Sequence, residues 1–220
     1  MRSFGIFATL ALAVVSYAAP LAPAGVKVPS VQTPELPTSV EVPTVNAGDL
    51  VARCDTCKSL PDIITGITTD ISPLIDQLKG LSAVDCTVEK ITPIVDEIKV
   101  IVNGAIVDVK ALVGVSIDVV LTTADGVLSL VNLCQLISTL FTLIFGCFGI
   151  VLKIVASVEY DGVCGLFAEV GVLLATLLQL IFGIVGGLLV IIRPLLTVCI
   201  SVIIELGCSD AFKFVFGLGY

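Results

Sequence analysis

The chain has 220 residues, a formal net charge of −8, and neither His nor Trp. Without His, the usual catalytic base and the usual zinc ligand are both missing, which excludes Ser-His and Cys-His hydrolases and most metalloenzymes. An acidic chain without a Lys/Arg cluster is also not expected to bind nucleic acid or anionic lipid.

The N-terminus has the pattern of a secretion signal. Arg2 is followed by an apolar run over residues 4–15 and by a small-residue ending at Ala18. This pattern predicts a signal peptide over residues 1–18, cleaved after Ala18. The mature protein is therefore expected outside the cell, secreted or held in a cell wall or matrix.

Residues 19–53 read as an extended arm rich in Pro, Thr and Val. Six of the ten prolines lie between residues 20 and 46, so this segment cannot propagate a helix and has little to bury. Arg53 ends the arm, and a processing cut after it is a further hypothesis.

Residues 54–125 are predicted to form amphipathic helices. Ser59 is the expected N-cap of the first one, with Pro61 in the first turn and Pro73 as a kink. A second helix is predicted from an apolar seam that alternates steps of four and three residues, with the charged residues off the seam. The seam consists of Val84, Val88, Ile91, Val95, Ile98, Val102, Ala105, Val109 and Leu112.

Part of that seam is also a good β-hairpin. Asn103-Gly104 is flanked by the β-branched runs of residues 98–102 and 105–109, a common hairpin pattern. The seam keeps its phase across Asn103-Gly104, which an independent hairpin does not require. We therefore favour the helix and keep the hairpin as the alternative.

Residues 126–220 form a very apolar region with two charge-free stretches, Val127 to Leu152 and Val170 to Ile192. Each carries a stripe of small or weakly polar residues that falls within about a 100° arc of a helix. The first stripe is Asn132, Gln135, Thr139, Thr142, Gly146, Gly149 and Lys153, and the second is Ala168, Gly171, Ala175, Gln179, Gly183 and Gly186.

The direction in which these stripes face distinguishes a membrane-inserted protein from a bundle in water. In a membrane the two stripes face each other and the apolar remainder faces lipid, whereas in water the stripes are the exposed edge of a buried helix. The stretches are long enough to span a bilayer as a two-helix hairpin. Lys153 and Arg193 then lie on opposite sides, so the positive-inside rule gives no orientation.

The remaining connections predict short loops. Glu159 to Gly162 reads as a turn, Arg193-Pro194 as the start of a helix to about Glu205, and Ser209-Asp210 as the cap of a final segment over residues 211–216. The predicted fold class is all-α: a bundle of hairpin-connected helices over residues 54–220, expected to be one domain.

Eight cysteines behind a signal peptide favour disulfides in an oxidising compartment. The disulfide candidates are Cys54, Cys57, Cys86, Cys134, Cys147, Cys164, Cys199 and Cys208. The Cys54-x-x-Cys57 pair is also compatible with a redox or metal site, but no second pair and no His support that alternative.

No motif indicates catalysis. Glu89, Asp96 and Glu97 are best explained as a solvated helix face, and the glycines from Gly171 to Gly187 as positions that allow close helix contact. We therefore expect no catalytic residue, cofactor or metal ion, and no enzymatic activity.

The layout resembles a known group of proteins. It combines the signal peptide and arm with Val51-Ala52-Arg53, Ser59-Leu-Pro-Asp-Ile-Ile64, Ile91-Thr-Pro-Ile-Val-Asp-Glu-Ile-Lys99, Ala111-Leu-Val-Gly114, Leu140 to Val155, and Phe167-Ala-Glu-Val-Gly171 leading to Gly186-Gly187. In this it is similar to small secreted wall proteins of mushroom-forming fungi, which have a hydrophilic first half and a hydrophobic second half. The resemblance implies a role in hyphal attachment or aerial growth.

These observations predict a secreted, non-enzymatic, surface-active protein of the fungal cell wall or extracellular matrix. Its expected partners are further copies of itself and apolar or wall surfaces, because large exposed apolar patches are adhesive. The alternatives are an integral membrane protein with the two-helix hairpin, and a helical carrier of lipid or another apolar ligand.

Overall fold

The computed structural model of the protein describes residues 58–217, which are almost entirely helical. The elements are α1 (Leu60–Lys79), α2 (Val88–Ala111), α3 (Ile117–Val120), β1 (Thr122–Thr123), β2 (Gly126–Val127), α4 (Leu130–Ile154), α5 (Tyr160–Ile184), α6 (Leu188–Leu195), a 3-10 helix (Leu196–Cys199), α7 (Ile200–Glu205) and α8 (Lys213–Phe216). The structure confirms the predicted all-α fold class with an apolar C-terminal half.

Several predictions concern residues outside this range. They are the signal peptide over residues 1–18, the arm over residues 19–53 with processing after Arg53, and the pairing of Cys54 and Cys57. These stay predictions.

Helix α1 begins at the predicted N-cap. The Ser59 hydroxyl oxygen accepts a hydrogen bond from the Asp62 backbone N–H at 3.3 Å and donates one to the Asp62 carboxylate at 2.7 Å. This cap satisfies a backbone donor that has no partner inside the helix. The helix continues through Pro73, which lies on its exposed face.

Helix α2 runs through Asn103-Gly104, so the helical alternative was correct and the hairpin was wrong. The apolar seam explains the outcome, because from Ile91 to Leu112 every seam residue is buried. The seam starts later than predicted. Thr87 caps the helix through a bond from the Lys90 N–H, which leaves Val84 in the preceding loop with 87% of its surface exposed.

The link between α2 and α4 contains elements that the sequence did not predict. The short helix α3 leads into a two-stranded antiparallel hairpin of β1 and β2, in which Gly126 has a positive φ of 119°. Val127 therefore belongs to a strand. Helix α4 begins three residues later, where the Ser129 hydroxyl accepts a bond from the Asn132 N–H at 3.2 Å.

The long helices pack side by side, and α2 and α5 run in the same direction, because Val88 lies against Gly162 and Lys99 pairs with Glu169 further along both helices. Helix α1 packs on α2 and along α4, while α2 packs along α5. Lys99 of α2 donates to Glu169 of α5 at 2.8 Å, and the Glu159 carboxylate accepts from the Val88 N–H at 2.9 Å at the start of α2. One hydrophobic core therefore runs through both the amphipathic and the apolar region.

Helices α4 and α5 have little direct contact with each other. Where they meet, Phe148 stacks on Phe167 with ring centroids 3.9 Å apart. Elsewhere residues 188–217, which we call the C-terminal segment, lie between them, and Phe212 of this segment packs edge-on against Phe141 and Phe145 of α4.

The first stripe faces outward. On α4 every stripe residue is exposed except the half-buried Gly149, and the wide apolar remainder packs into the core. This is the arrangement expected for a helix at a water-facing surface.

The second stripe is placed differently from its prediction. Gly171 and Ala175 are buried, because Cys208 of the C-terminal segment lies directly over Gly171. The exposed line of α5 is instead Gly165, Glu169, Val172, Thr176, Gln179 and Gly183. Small residues at Gly171 and Ala175 therefore serve close packing.

Candidate functional site: an apolar strip on the C-terminal segment

The predicted start of the C-terminal segment was wrong, whereas its helical part ends at Glu205, as predicted. Helix α5 ends at Ile184, so residues 170–192 do not form one helix. Gly187 has a φ of 82°, a left-handed conformation that glycine adopts at no steric cost, and the next helix starts at Leu188. Arg193-Pro194 therefore lies inside α6 rather than at the start of a helix.

Two further local predictions were also displaced. The turn before α5 lies at residues 157–159, and Tyr160 to Gly162 already belong to the helix. Ser209 does not cap a helix over residues 211–216, because these residues first form turns and α8 starts only at Lys213 without a side-chain cap.

The segment first runs along α4 and then along α5. The Cys134 thiol contacts the Leu188 carbonyl at 4.0 Å, and an added Cβ on Gly149 would lie 3.0 Å from Val202. After the turn at Gly207, which has a φ of 69°, the chain reaches Cys208 and then α8. Its inner side chains fill the space between the two long helices.

The outer face of the segment also exposes large apolar side chains. Five large side chains between residues 188 and 205 are exposed, and we call this set the apolar strip: Leu189, Val190, Leu195, Val198 and Ile204. Val190 is 81% exposed and Val198 is 66% exposed, while Pro194 lies exposed between them at helical spacing. Among the helical residues of the C-terminal half, Val190 and Val198 are the most exposed large apolar side chains.

The degree of burial sets this segment apart from its neighbours. Only 28% of the Leu188–Glu205 stretch is buried, compared with 56% of the corresponding window in α4. The exposed faces of α4 and α5 consist mostly of Thr, Gln, Asn, Gly and charged side chains, so those helices are amphipathic. The C-terminal segment is apolar on its inner side, and its outer side carries the apolar strip beside a polar line of Arg193, Thr197, Ser201 and Glu205.

The two charged residues of the stretch are each engaged locally. Arg193 donates to the Phe216 carbonyl at 2.9 Å, and Glu205 accepts from the Tyr160 hydroxyl at 2.9 Å. The bond to Glu205 raises the pKa of Tyr160. Neither charge lies between Val198 and Ile204, where the exposed polar residue is Ser201.

The six described cysteines are free thiols in the structure: Cys86, Cys134, Cys147, Cys164, Cys199 and Cys208. Burial raises the pKa of the Cys147, Cys199 and Cys208 thiols to about 11, so they are protonated and poorly nucleophilic near neutral pH. The disulfide hypothesis stays a prediction.

One disulfide pairing is disfavoured by the helix geometry. Cys208 lies over Gly171, which is two helical turns from Cys164 on α5. Two turns correspond to about 10 Å along the axis, well beyond the reach of a disulfide.

The acidic residues and most of the glycines that the sequence singled out lie on exposed surfaces. Glu89, Asp96 and Glu97 are exposed on α2, and Asp96 pairs with Lys99 at 2.7 Å. Gly183, Gly186 and Gly187 have open space around them, so they do not serve the predicted helix contact. Within residues 58–217 no group of three potential metal ligands occurs.

A groove of about 500 Å³ lies between the end of α1 and α4. Its lining includes the exposed Lys79, Thr139, Thr142 and Gly146 at the rim and the buried Cys147 at its floor.

Three helical stretches of the described chain are long and apolar enough to cross a membrane, judged by length and composition: Leu130–Ile154, Tyr160–Ile184 and Leu188–Glu205. The sequence had predicted two, with other boundaries, and had missed the third. Val190, Pro194 and Val198 at successive steps of four residues were the available signal for the strip.

Comparison with known proteins gives no further assignment. No protein-family model, curated protein or solved structure matches the chain. The function must therefore be argued from the bundle and the apolar strip themselves.

Proposed function

We propose that the protein is a secreted, non-enzymatic, surface-active protein of a cell wall or extracellular matrix. It adsorbs to apolar surfaces and to further copies of itself through the apolar strip, and so promotes attachment or hydrophobic coating. The observation that carries this proposal is a strip of large apolar side chains held in solvent on an otherwise well-packed bundle.

The energy available from the strip is sufficient for adsorption. Full burial of a Val, Leu or Ile side chain contributes about 1.5–3 kcal/mol, so covering the exposed fractions of the five strip residues contributes on the order of 5 kcal/mol. This corresponds to a preference of roughly several thousandfold for an apolar surface over water.

The packing of the bundle supports adsorption as a folded body. Helix α5 lies along α2, whose exposed face carries Glu97, Asp108 and Lys110, and the two helices are joined by the Lys99–Glu169 ion pair. Inserting α5 as it stands would carry these charges into lipid, where a charged side chain costs several kcal/mol. Insertion therefore requires the helix pairs to separate, whereas adsorption through the strip does not.

The test is adsorption of the purified protein to octane droplets at neutral pH, followed by flotation. We expect the protein to float with the droplets and to remain helical by circular dichroism. A protein that stays in the aqueous phase and remains monomeric would contradict the proposal.

A second candidate is an integral membrane protein, which the three long apolar stretches favour. Alkaline carbonate extraction of cells separates the two candidates. An integral protein remains in the membrane pellet, whereas the proposed secreted protein is found in the medium or the wall fraction. The same fractions on a non-reducing gel show whether interchain disulfides form.

A further inference from the structure

The C-terminal segment is attached to the bundle almost entirely by apolar contacts. Its inner residues Leu188, Ile192, Leu196 and Ile203 are fully or almost fully buried, and Phe212 contributes to the Phe cluster of α4. Its outer side exposes the apolar strip beside the polar residues Arg193, Thr197 and Ser201. The segment therefore has apolar side chains on both its inner and its outer side.

Few polar interactions hold the segment in place. Within the part of the chain that the structure describes, the Tyr160–Glu205 bond is the one hydrogen bond between oxygen or nitrogen side-chain groups of the segment and the helices. The other polar contacts involve thiols, such as that of Cys208 with the Ala168 carbonyl at 3.4 Å. The Arg193–Phe216 bond is internal to the segment.

The segment is joined to α5 by a glycine pair. Gly186 and Gly187 are exposed, an added Cβ on either would meet nothing within 4 Å, and Gly187 has a positive φ. A few residues of this kind absorb the dihedral changes of a hinge. If the C-terminal segment swings away from the bundle at this glycine pair, the contacts of α1 with α4 and of α2 with α5 stay intact.

We propose that the C-terminal segment is a lid that opens at an apolar interface, pivoting at Gly186-Gly187. This inference rests on the proposed function and describes how the strip brings the protein onto an apolar surface. The strip makes the first contact, and the segment then lifts from the space between α4 and α5. Both faces of the segment and the Phe cluster beneath it then contact the apolar phase.

The segment opens only at an apolar phase because its buried side chains can exchange protein contacts for similar contacts with oil. In water, lifting the segment exposes buried apolar area on both sides, which is unfavourable. Against an oil phase the same side chains exchange protein contacts for hydrocarbon contacts at little cost, because hydrocarbon tails are as apolar as leucine. The closed form is therefore favoured in water and the open form at the interface.

A disulfide that locks the lid tests this directly. In Gly171→Cys, the new Cβ lies 3.6 Å from the Cys208 Cβ and 2.9 Å from the Cys208 Sγ. A Cβ–Cβ separation of this size suits a disulfide. Oxidised glutathione accepts the two electrons and two protons of the thiols and becomes two glutathione thiols.

The readout is surface pressure at an octane–water interface. The wild-type protein is expected to give a rapid rise from first adsorption and a slower rise from opening. The oxidised Gly171→Cys variant should keep the rapid rise and lose the slow one, and reduction should restore it. A locked variant with the wild-type slow rise would overturn the lid. A wild-type protein that does not adsorb would instead overturn the proposed function.

The matched control is a disulfide within the bundle. In Val88→Cys/Gly162→Cys the two Cβ atoms lie 3.8 Å apart, and the bond ties α2 to α5. We expect this variant to keep both phases. If it also lost the slow rise, the slow phase would reflect unfolding of the whole bundle, which would contradict the lid.

Thiol labelling of the reduced wild-type protein gives an independent readout that needs no engineered disulfide. On droplets of octane that contains a dissolved apolar maleimide, Cys199 and Cys208 should be labelled because the lifted segment turns them toward the oil, while Cys147, which contacts the Ile75 carbonyl of α1 at 3.7 Å, should stay protected. Equal protection of all three thiols, or equal labelling of all three, would overturn the proposal.

Discussion

The outer faces of α2 and of the C-terminal segment both expose large apolar side chains, but they differ in what surrounds them. On α2, Val100 lies one helical turn from Asp96 and Glu97, so each exposed valine is isolated among charges. On the segment, the exposed Pro194 links Val190 to Val198 along one line of the helix, and the polar residues Arg193, Thr197 and Ser201 follow the neighbouring line. The comparison teaches that continuity, and not the exposure of single residues, makes a surface adhesive.

The largest expected effect concerns the stability of the bundle that carries both faces. Phe148→Ala removes one ring of the stack with Phe167 at the contact of α4 and α5. We expect it to lower the free energy of unfolding by about 3–5 kcal/mol, because it leaves a cavity in the core. Urea denaturation measures this loss.

The control for that variant is Phe182→Ala. Phe182 is only half-buried and packs against Phe214 of the C-terminal segment. Its loss should cost clearly less than that of Phe148. Equal losses would mean that the C-terminal segment stabilises the fold as much as the α4–α5 contact does. This would contradict a segment that detaches while the bundle stays folded.

An intermediate effect is expected from the cap of α1. Ser59→Ala removes the acceptor for the Asp62 N–H and should lower the free energy of unfolding by about 1 kcal/mol. Adsorption to octane should not change, because Ser59 lies on α1 and does not belong to the apolar strip. A matching loss of adsorption would indicate that the first half takes part in binding, and Ser59→Gly, with a loss of only a few tenths of a kcal/mol, serves as the control.

The smallest effect should come from the Lys99–Glu169 ion pair. Hydrogen bonds to Asp96 and Glu169 raise the pKa of Lys99 above its ordinary value of 10.5, so the charged lysine stabilises the folded state. Glu169→Gln should therefore cost well under about 1 kcal/mol at neutral pH, because the pair is largely solvated.

The pH dependence of that difference follows from the sign of the shift. The contribution is complete below the ordinary lysine pKa and disappears as the pH rises through the raised value. Urea titrations of wild-type protein and Glu169→Gln should thus converge at strongly alkaline pH. A difference that grows there would contradict the assignment.

Sequence periodicity was sufficient for the amphipathic helices and for much of α4. The seam from Ile91 to Leu112 and the cap at Ser59 depend on local spacing, which a sequence shows directly. The stripe on α4 could be found from its phase for the same reason. These elements were placed correctly because one face of each is plainly polar.

The apolar C-terminal region could not be divided in the same way. Where apolar residues lie around most of a helix, periodicity does not show which side is buried, and the start of α6 depends on the left-handed Gly187. Gly171 read as part of an outward stripe because nothing local indicates that Cys208 packs over it. The strip itself depends on which side of the segment meets α4 and α5, which is a property of the tertiary fold.

The central claim is tested most directly by charge variants of matched exposure. Val190→Asp/Val198→Asp alters the strip, and Val84→Asp/Val107→Asp alters two valines of the first half that are 87% and 65% exposed, compared with 81% and 66% in the strip. The measurement is the partition of each purified protein between buffer and octane droplets. The account predicts a loss of about 100-fold for the strip variant, since the two valines supply more than half of the transfer energy, and little change for the control. Equal losses in both variants, or none in either, would contradict it.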